Sequence, residues 1–149
     1  ISLSTDVIVG FPGETEEQFE QTFSLLEEVK FDVVHVAAYS PRRGTIAWRE
    51  YQDNVSSEVK KTWLNKIETL QANIAAEINS KHRGEIVEVL VEGKKRGKWY
   101  GRTRGNKLVF FEHLEPSEGS RLGQLVEIKI GKTSPWALQG IVVSGAKEF

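Results

Sequence analysis

The residues with the clearest chemical potential form a basic segment in the second half of the chain. Between Gly93 and Arg104 the sequence has six Lys or Arg residues, two aromatic residues and no acid. Cations contact phosphates and aromatic rings stack on bases, so this mixture is typical of binding to single-stranded nucleic acid. A solvated charged loop is the alternative. The candidate RNA contacts are Lys94, Lys95, Arg96, Lys98, Trp99, Arg102, Arg104 and Lys107.

Two loops in the first half are candidates for ligand binding. The first is the glycine-rich turn in the segment 6–15, and the second is the segment 37–45, which has two adjacent arginines. Each follows a predicted strand, and open α/β sheets bind ligands at the carboxyl ends of their strands. Arginines there are suited to a carboxylate or a phosphate. An ordinary strand-to-helix turn and solvated surface charge are the alternatives.

Several other kinds of chemistry are excluded or disfavoured by composition. The chain has no cysteine, so it forms no disulfide and no thiolate metal site of its own. Its histidines, at positions 35, 82 and 113, share no ligand spacing. No apolar run approaches the ~20 residues needed to span a bilayer, so we expect no membrane partner and a cytoplasmic protein. Methionine is also absent, and the chain opens directly on a predicted strand, so we expect a truncated N-terminus.

The charge is unevenly distributed along the chain. Residues 1–82 carry 8 Lys or Arg against 13 Asp or Glu, whereas residues 83–149 carry 12 against 8. The two halves therefore have net charges of −5 and +4. Opposite signs suggest two units with different partners, the basic one binding nucleic acid.

The first half has the pattern of an α/β protein. Leu3 to Val9 is predicted to be a strand buried on both faces, as in a parallel sheet. A helix follows, with Thr15 as N-cap and Gln18 completing a capping box, and a second strand covers 33–39. This unit should have a right-handed crossover. A long amphipathic helix begins near Ser56 or Ser57 and ends before Gly84, with residues 81–83 in its last turn.

The second half alternates between apolar and polar residues. It predicts five strands, at 85–91, 99–103, 107–111, 124–130 and 138–143, with a hairpin turn at 104–107. Five short strands without intervening helices indicate a small, nearly closed barrel, and place a domain boundary near residue 82. Which of four aromatic residues stack on bases and which fill the barrel core is left open: Trp99, Tyr100, Phe110 and Phe111.

Three segments together resemble one enzyme family. They are TDVIVGFPGETEEQFEQT, FDVVHVAAYSPRRGTIAW and GRTRGNKLVFF, and they resemble the radical S-adenosylmethionine methylthiotransferases. The resemblance implies that residues 1–82 are the last strand–helix–strand unit of a partial TIM-like radical barrel with its following helix. It implies that residues 83–149 are a TRAM domain, a five-stranded RNA-binding barrel related to OB folds.

The resemblance also implies functional residues. Ile8, Gly10 and Phe11 would line the adenine of S-adenosylmethionine, and Tyr39, Ser40 and Arg42 would lie at the edge of the cofactor and substrate cavity. The basic run 94–107 would bind the anticodon stem-loop of tRNA. Arg43 and Ile46 depart from the residues expected of the family in this loop.

The family needs 4Fe-4S clusters that this chain cannot hold. The cluster cysteines are expected in upstream domains of the same polypeptide, and without thiolates no electron reaches the cofactor. The complete enzyme is expected to insert a methylthio group at carbon 2 of isopentenyladenosine next to the anticodon. This chain alone is expected to bind tRNA and to be catalytically inert.

Two alternatives remain at this point. The first is that the chain belongs to a sibling enzyme, which acts on threonylcarbamoyladenosine in tRNA or on a ribosomal protein aspartate. The second is that the chain is a freestanding RNA-binding module without enzyme activity. The exact substrate, the sulfur donor and the oligomeric state are not predicted by the sequence.

Overall fold

The computed structural model describes residues 1–112 and 122–147, with side chains through residue 143. His113 lies outside these ranges. The chain divides into two compact units, Leu3–Ile74 and the residues from Ala75 onward with Ile1–Ser2. The elements are β1 (Ser4–Val9), α1 (Glu16–Val29), β2 (Val33–Ala38), α2 (Ile46–Glu50), α3 (Ser57–Ser80), β3 (Ile86–Lys95), β4 (Lys98–Thr103), β5 (Leu108–Glu112), β6 (Leu125–Thr133) and β7 (Leu138–Lys147).

The unit Leu3–Ile74, which we call the α/β unit, is built on a parallel strand pair. β1 and β2 pair in register from Ser4 opposite Val33 to Val9 opposite Ala38. Thr15 caps α1 in a complete capping box with Gln18, which confirms the predicted helix start. The apolar faces of α1 and α3 meet against β1 in a core of Val9, Phe19, Leu26, Trp63 and Ile67.

The expectation that these strands are buried on both faces is wrong for this chain. Alternate residues of β1 and β2 are exposed, with Ile8 60% and Val33 41% accessible. Within the described ranges, the two strands pair only with each other, so each has an open edge. The reason is geometric, because the helices of this unit cover one face of a two-stranded sheet and leave the other to solvent.

The helices after β2 differ in part from the prediction. α3 begins as predicted, capped by Ser56, whose hydroxyl accepts from the Val59 N–H at 3.3 Å. It ends at Ser80, so residues 81–83 are not its last turn. They form tighter turns with i to i+3 hydrogen bonds, such as His82 N–H to Asn79 C=O at 3.1 Å. The short helix α2, capped by Thr45, was not predicted from the sequence.

The second unit contains a closed barrel with the strand order β3-β4-β5-β7-β6. Every neighbouring pair is antiparallel except β5 and β7, which are parallel. The predicted five-stranded barrel is therefore confirmed, with β3 extending further than expected, to Lys95. Its core consists of Val89, Val91, Val109, Phe111, Val126, Ile128, Ile130 and Leu138.

Closure of the barrel depends on close backbone approach at two glycines. A Cβ added to Gly101 would lie 2.0 Å from the Leu90 carbonyl oxygen, and one added to Gly140 would lie 2.3 Å from that of Lys129. Only glycine fits these positions.

None of the helices in the described part of the chain has both the length and the apolar character to cross a membrane.

Candidate functional site

The basic segment forms a tight hairpin between β3 and β4. Lys95 pairs with Lys98, which leaves Arg96 and Gly97 as the two turn residues, with φ of 51° and 83°. Two successive positive φ values define the type I′ turn that matches the twist of a β-hairpin, and glycine favours this conformation. The segment Lys94–Gly97 is exposed and is called the hairpin tip below.

The predicted RNA contacts fall into two groups by their surroundings. Among the residues that the structure describes, the side chains of Lys95 and Arg96 have neither a hydrogen bond nor an ion pair. The Lys94 ammonium lies over the Trp99 ring, 5.5 Å from its centroid. Within the part of the chain that the structure describes, Lys95 and Arg96 of the hairpin tip therefore present their charge to solvent without an ion-pair partner.

The remaining predicted contacts on β4 and its turn are mostly paired with acids of other strands. Three ion pairs hold them: Lys98 with Glu112 at 2.9 Å, Arg102 with Glu92 at 3.5 Å and Arg104 with Glu88 at 2.9 Å. Arg102 also donates to the Asn106 carbonyl at 3.0 Å. Lys107 ends the β4–β5 turn, where its backbone N–H donates to the Thr103 hydroxyl at 3.1 Å.

The ion pair between Lys98 and Glu112 shifts the pKa of the carboxyl group. The hydrogen bond and the positive charge of Lys98 lower the pKa of Glu112 below its ordinary value. The carboxyl group, which is ionised at neutral pH even without this shift, thus holds Lys98 as an ion pair there. Surface pairs of this kind contribute little to stability, so an anionic ligand can replace the carboxylate at small cost.

The structure separates the four aromatic residues into two faces. Trp99 pairs with Phe111 and Tyr100 pairs with Phe110 across β4 and β5. Phe111 is buried in the barrel core, and Trp99 packs against that core while remaining partly accessible. Successive side chains of a strand point to opposite faces. Tyr100 and Phe110 therefore lie together on the outer surface, with ring centroids 6.2 Å apart.

Some of the predicted cofactor-binding residues come together at the carboxyl ends of β1 and β2. The Phe11 ring contacts Tyr39 edge-on at a centroid distance of 5.1 Å. The Glu14 carboxylate accepts the N–H groups of Gly10 and Phe11 and thereby fixes the turn. Gly10 has a φ of 73°. Ile8, Ser40 and Arg42 are exposed, and each lies within three residues of Phe11 or Tyr39 along the chain.

Sequence reasoning missed the central residue of this cluster, Lys60. Its ammonium lies 2.6 and 2.7 Å from the two carboxylate oxygens of Asp53 and 5.2 Å from the centroid of the Tyr39 ring. Its stem fills the space beside Gly10, where an added Cβ would lie 2.3 Å from the Lys60 Cγ. A signal was available, because Lys60 is three residues before Trp63 on the buried face of α3.

Metal binding has no support in the described residues. No three His, Asp or Glu side chains within them come together as a possible metal site. His35 lies on β2, and His82 is engaged with Glu85 at 2.8 Å.

The sequence that forms the barrel matches a known domain family. Residues 80–143 match the TRAM domain family.

Relatives extend the match to nearly the whole chain. Over 144 residues the chain is 52% identical to the tRNA-2-methylthio-N(6)-dimethylallyladenosine synthase of Chloroflexus aurantiacus, covering 95% of this chain and 30% of the relative. The enzymes of the same name from Dehalococcoides mccartyi and Bacillus cereus are 49% and 47% identical, over 97% and 96% of this chain and 34% and 28% of theirs. The chain thus carries a TRAM domain and is homologous to these synthases, spanning about a third of their length. The resemblance predicted from the sequence is confirmed.

Proposed function

We propose that the barrel of this chain binds the anticodon stem-loop of tRNA through the hairpin tip. The observation that carries this proposal is the contrast between Lys95 and Arg96, which have no ion-pair partner among the described residues, and the paired cations further along β4. Unpaired cations at a projecting turn neutralise phosphates without first losing a protein carboxylate. The match to a TRAM domain supports the same function.

The complete protein, in this proposal, is a methylthiotransferase that modifies carbon 2 of isopentenyladenosine beside the anticodon. The names of the relatives support this, because each is called a tRNA-2-methylthio-N(6)-dimethylallyladenosine synthase. Residues 1–82 then belong to the catalytic barrel and residues 83–149 to the RNA-binding domain. The open edges of β1 and β2 are available to further strands of that barrel. A tRNA substrate implies a cytoplasmic location.

The residues of this chain fit one of the two implied cofactors. Ile8 and Phe11 expose apolar surface beside the backbone of Gly10, which suits the adenine of S-adenosylmethionine. The Tyr39 ring contacts the Phe11 ring, and the exposed Ser40 and Arg42 follow Tyr39 along the chain. When bound, this cofactor supplies the methyl group and the radical of the family's chemistry. The 4Fe-4S clusters do not fit, since the chain has no cysteine, and we propose that the chain alone is inactive.

Binding of the chain to an anticodon stem-loop across a salt series tests the RNA interaction. Neutralising four to six phosphates predicts a slope of log affinity against log salt of roughly −3 to −5. Replacing Lys94, Lys95 and Arg96 with alanine should weaken binding and make the slope shallower by about 2. The matched control removes three exposed cations elsewhere, Arg49, Lys61 and Lys81, and should leave the slope unchanged.

Two results would contradict the proposal. One is the absence of binding at low salt by a chain whose barrel is folded, as judged by circular dichroism. The other is an equal loss in the hairpin-tip and control variants, which would reduce the effect to net charge. The proposed modification is tested separately, by mass spectrometry of tRNA nucleosides from a strain that lacks the complete protein. Loss of a different modified nucleoside would identify a sibling enzyme.

A further inference from the structure

A groove on the outer surface of the barrel lies along β5, beside the hairpin that carries the tip. It has a volume of about 310 Å³, and its lining includes Lys98, Phe110, Glu112, Lys132, Gln139 and Ile141. Phe110 pairs with Gln139, which in turn pairs with Lys132, so these three residues form one row across β5, β7 and β6. The side chains of such a row share one face of the sheet.

The floor of the groove is aromatic and extends beyond it. Phe110 contacts Tyr100, at 6.2 Å between ring centroids and an interplanar angle of 50°. Tyr100 lies across Gly93, where an added Cβ would be 2.9 Å from the tyrosine oxygen. Because no side chain at position 93 competes for this space, the two rings form a continuous outward surface on neighbouring strands.

The polar groups around this surface suit a nucleotide. Among the described residues Lys132 has no ion-pair partner, and the exposed Gln139 amide presents both a donor and an acceptor. Lys98 lies at the opposite end, where it is paired with Glu112 at 2.9 Å. A cation for phosphate, an amide for a base edge and a ring for stacking are the three elements of single-stranded RNA recognition.

The position of the groove relative to the hairpin tip favours RNA over a protein partner. Lys98 directly follows the tip, and Tyr100 is two residues further along β4, a distance of ~7 Å. A polyanion held at the tip therefore passes Lys98 before it reaches the aromatic pair. An apolar protein segment would make no favourable electrostatic contact with the cations of the hairpin tip or with Lys98.

We propose that one unpaired base of the RNA stacks on the Phe110–Tyr100 pair, with Lys98 and Lys132 contacting its flanking phosphates. This inference rests on the proposed RNA binding and adds the kind of nucleotide that the barrel selects. It predicts that the barrel prefers RNA with an unpaired segment to fully paired RNA, because a base inside a helix cannot offer its face to the rings.

The test uses the full chain and two RNAs of equal length, one single-stranded and one fully paired. Phe110→Leu keeps an apolar side chain but removes the ring on which the base stacks, and should weaken binding to the single-stranded RNA about tenfold, or about 1.4 kcal/mol. Binding to paired RNA should change less than twofold. The control Ile86→Ala, at a residue 58% exposed on β3, should affect neither. Thermal unfolding of each variant verifies the fold.

A fluorescent base provides a second measurement. In a set of RNAs, 2-aminopurine replaces one unpaired base at a time. The unmodified chain should quench the 2-aminopurine fluorescence at one of these positions, and Phe110→Leu should not. Equal losses on both RNAs, or unchanged quenching, would overturn the inference. If the hairpin-tip variant still weakened binding in that case, the proposed RNA interaction would stand without the stacking site. Absence of any RNA binding by the unmodified chain would instead remove the proposed function itself.

Discussion

The barrel and the α/β unit differ in how completely their strands are paired. Each barrel strand has two strand neighbours and contributes to one core, whereas β1 and β2 pair only with each other in the described ranges. The barrel core consists entirely of strand residues, while the core of the α/β unit depends on helix residues such as Phe19 and Trp63, whose rings stack at 4.7 Å. The comparison indicates that closure makes the barrel self-sufficient, and that the α/β unit depends on helix packing and on the Lys60 contacts.

The largest expected effect is loss of the barrel core. Phe111 is 1% exposed, and Phe111→Ala should lower the free energy of unfolding of the barrel by about 3–5 kcal/mol. Residue-resolved hydrogen exchange measures this loss separately in each unit. Because the two clusters share no residue, amides of α1 and β1 should keep their protection.

The control for this prediction is Ile86→Ala, a deletion of exposed apolar surface on the same barrel. It should change the free energy of unfolding by less than about 0.5 kcal/mol. If Phe111→Ala released the α1 and β1 amides as strongly as those of β5, the two cores would unfold together. The contrast between a self-sufficient barrel and a separate α/β core would then be wrong.

An intermediate effect is expected for the polar contacts of the α/β unit. Lys60→Met keeps the stem beside Gly10 but leaves the Asp53 carboxylate without its partner. The Lys60 side chain is 9% exposed and that of Asp53 is 29% exposed, so water compensates only part of the loss. We expect a decrease of about 1–3 kcal/mol in the free energy of opening of this unit, again by hydrogen exchange.

The chain offers a matched control for this variant. Lys66 pairs with Glu20 at 3.1 Å, but both side chains are nearly half exposed, at 46% and 48%. Lys66→Met should therefore cost less than about 1 kcal/mol. Equal effects of the two substitutions would mean that the Lys60 contacts contribute no more than a surface ion pair, and that helix packing alone holds the α/β unit.

Local signals in the sequence account for most of the elements. Thr15 with Gln18 marks the start of α1 because the capping box depends on only four residues. The five barrel strands follow from alternation, and the parallel pair from two apolar runs on either side of a helix. The predicted hairpin turn at 104–107 joins β4 and β5, with the Asn106 N–H donating to the Thr103 carbonyl at 2.9 Å.

Features that depend on distant pairing were not predictable in this way. The register between β3 and β4 shifts between Val91 and Gly93, and a shift of one residue exchanges the two faces of a strand. The inward position of Trp99 and the outward position of Tyr100 therefore follow from pairing rather than composition. The same holds for the ion pairs of Arg102 and Arg104, whose partners come from β3. The assignment of residues 1–82 to a radical barrel stays a prediction.

The smallest expected effect concerns the paired cations, and it sharpens the contrast between the tip and the rest of β4. Glu112→Gln removes the carboxylate that holds Lys98 at 2.9 Å and should raise the affinity for the anticodon stem-loop about twofold at neutral pH. The effect is present there because the Glu112 carboxyl group is ionised at neutral pH, and Lys98 lowers its pKa further. The control Glu68→Gln removes one negative charge from α3, so it changes the net charge by the same amount, and it should leave the affinity unchanged.

The pH dependence of this variant follows from the same shift. A carboxyl group whose pKa is lowered in the folded state stabilises the fold at pH values above its ordinary, unfolded-state pKa. That contribution is lost as the pH falls through the lowered pKa. The unmodified chain and Glu112→Gln should therefore converge in both stability and RNA affinity in acid, where Glu112 is protonated and Lys98 is released. A difference in affinity that persisted there would show that Glu112 acts through its shape and not through its charge. The distinction between paired and unpaired cations would then no longer explain where RNA binds.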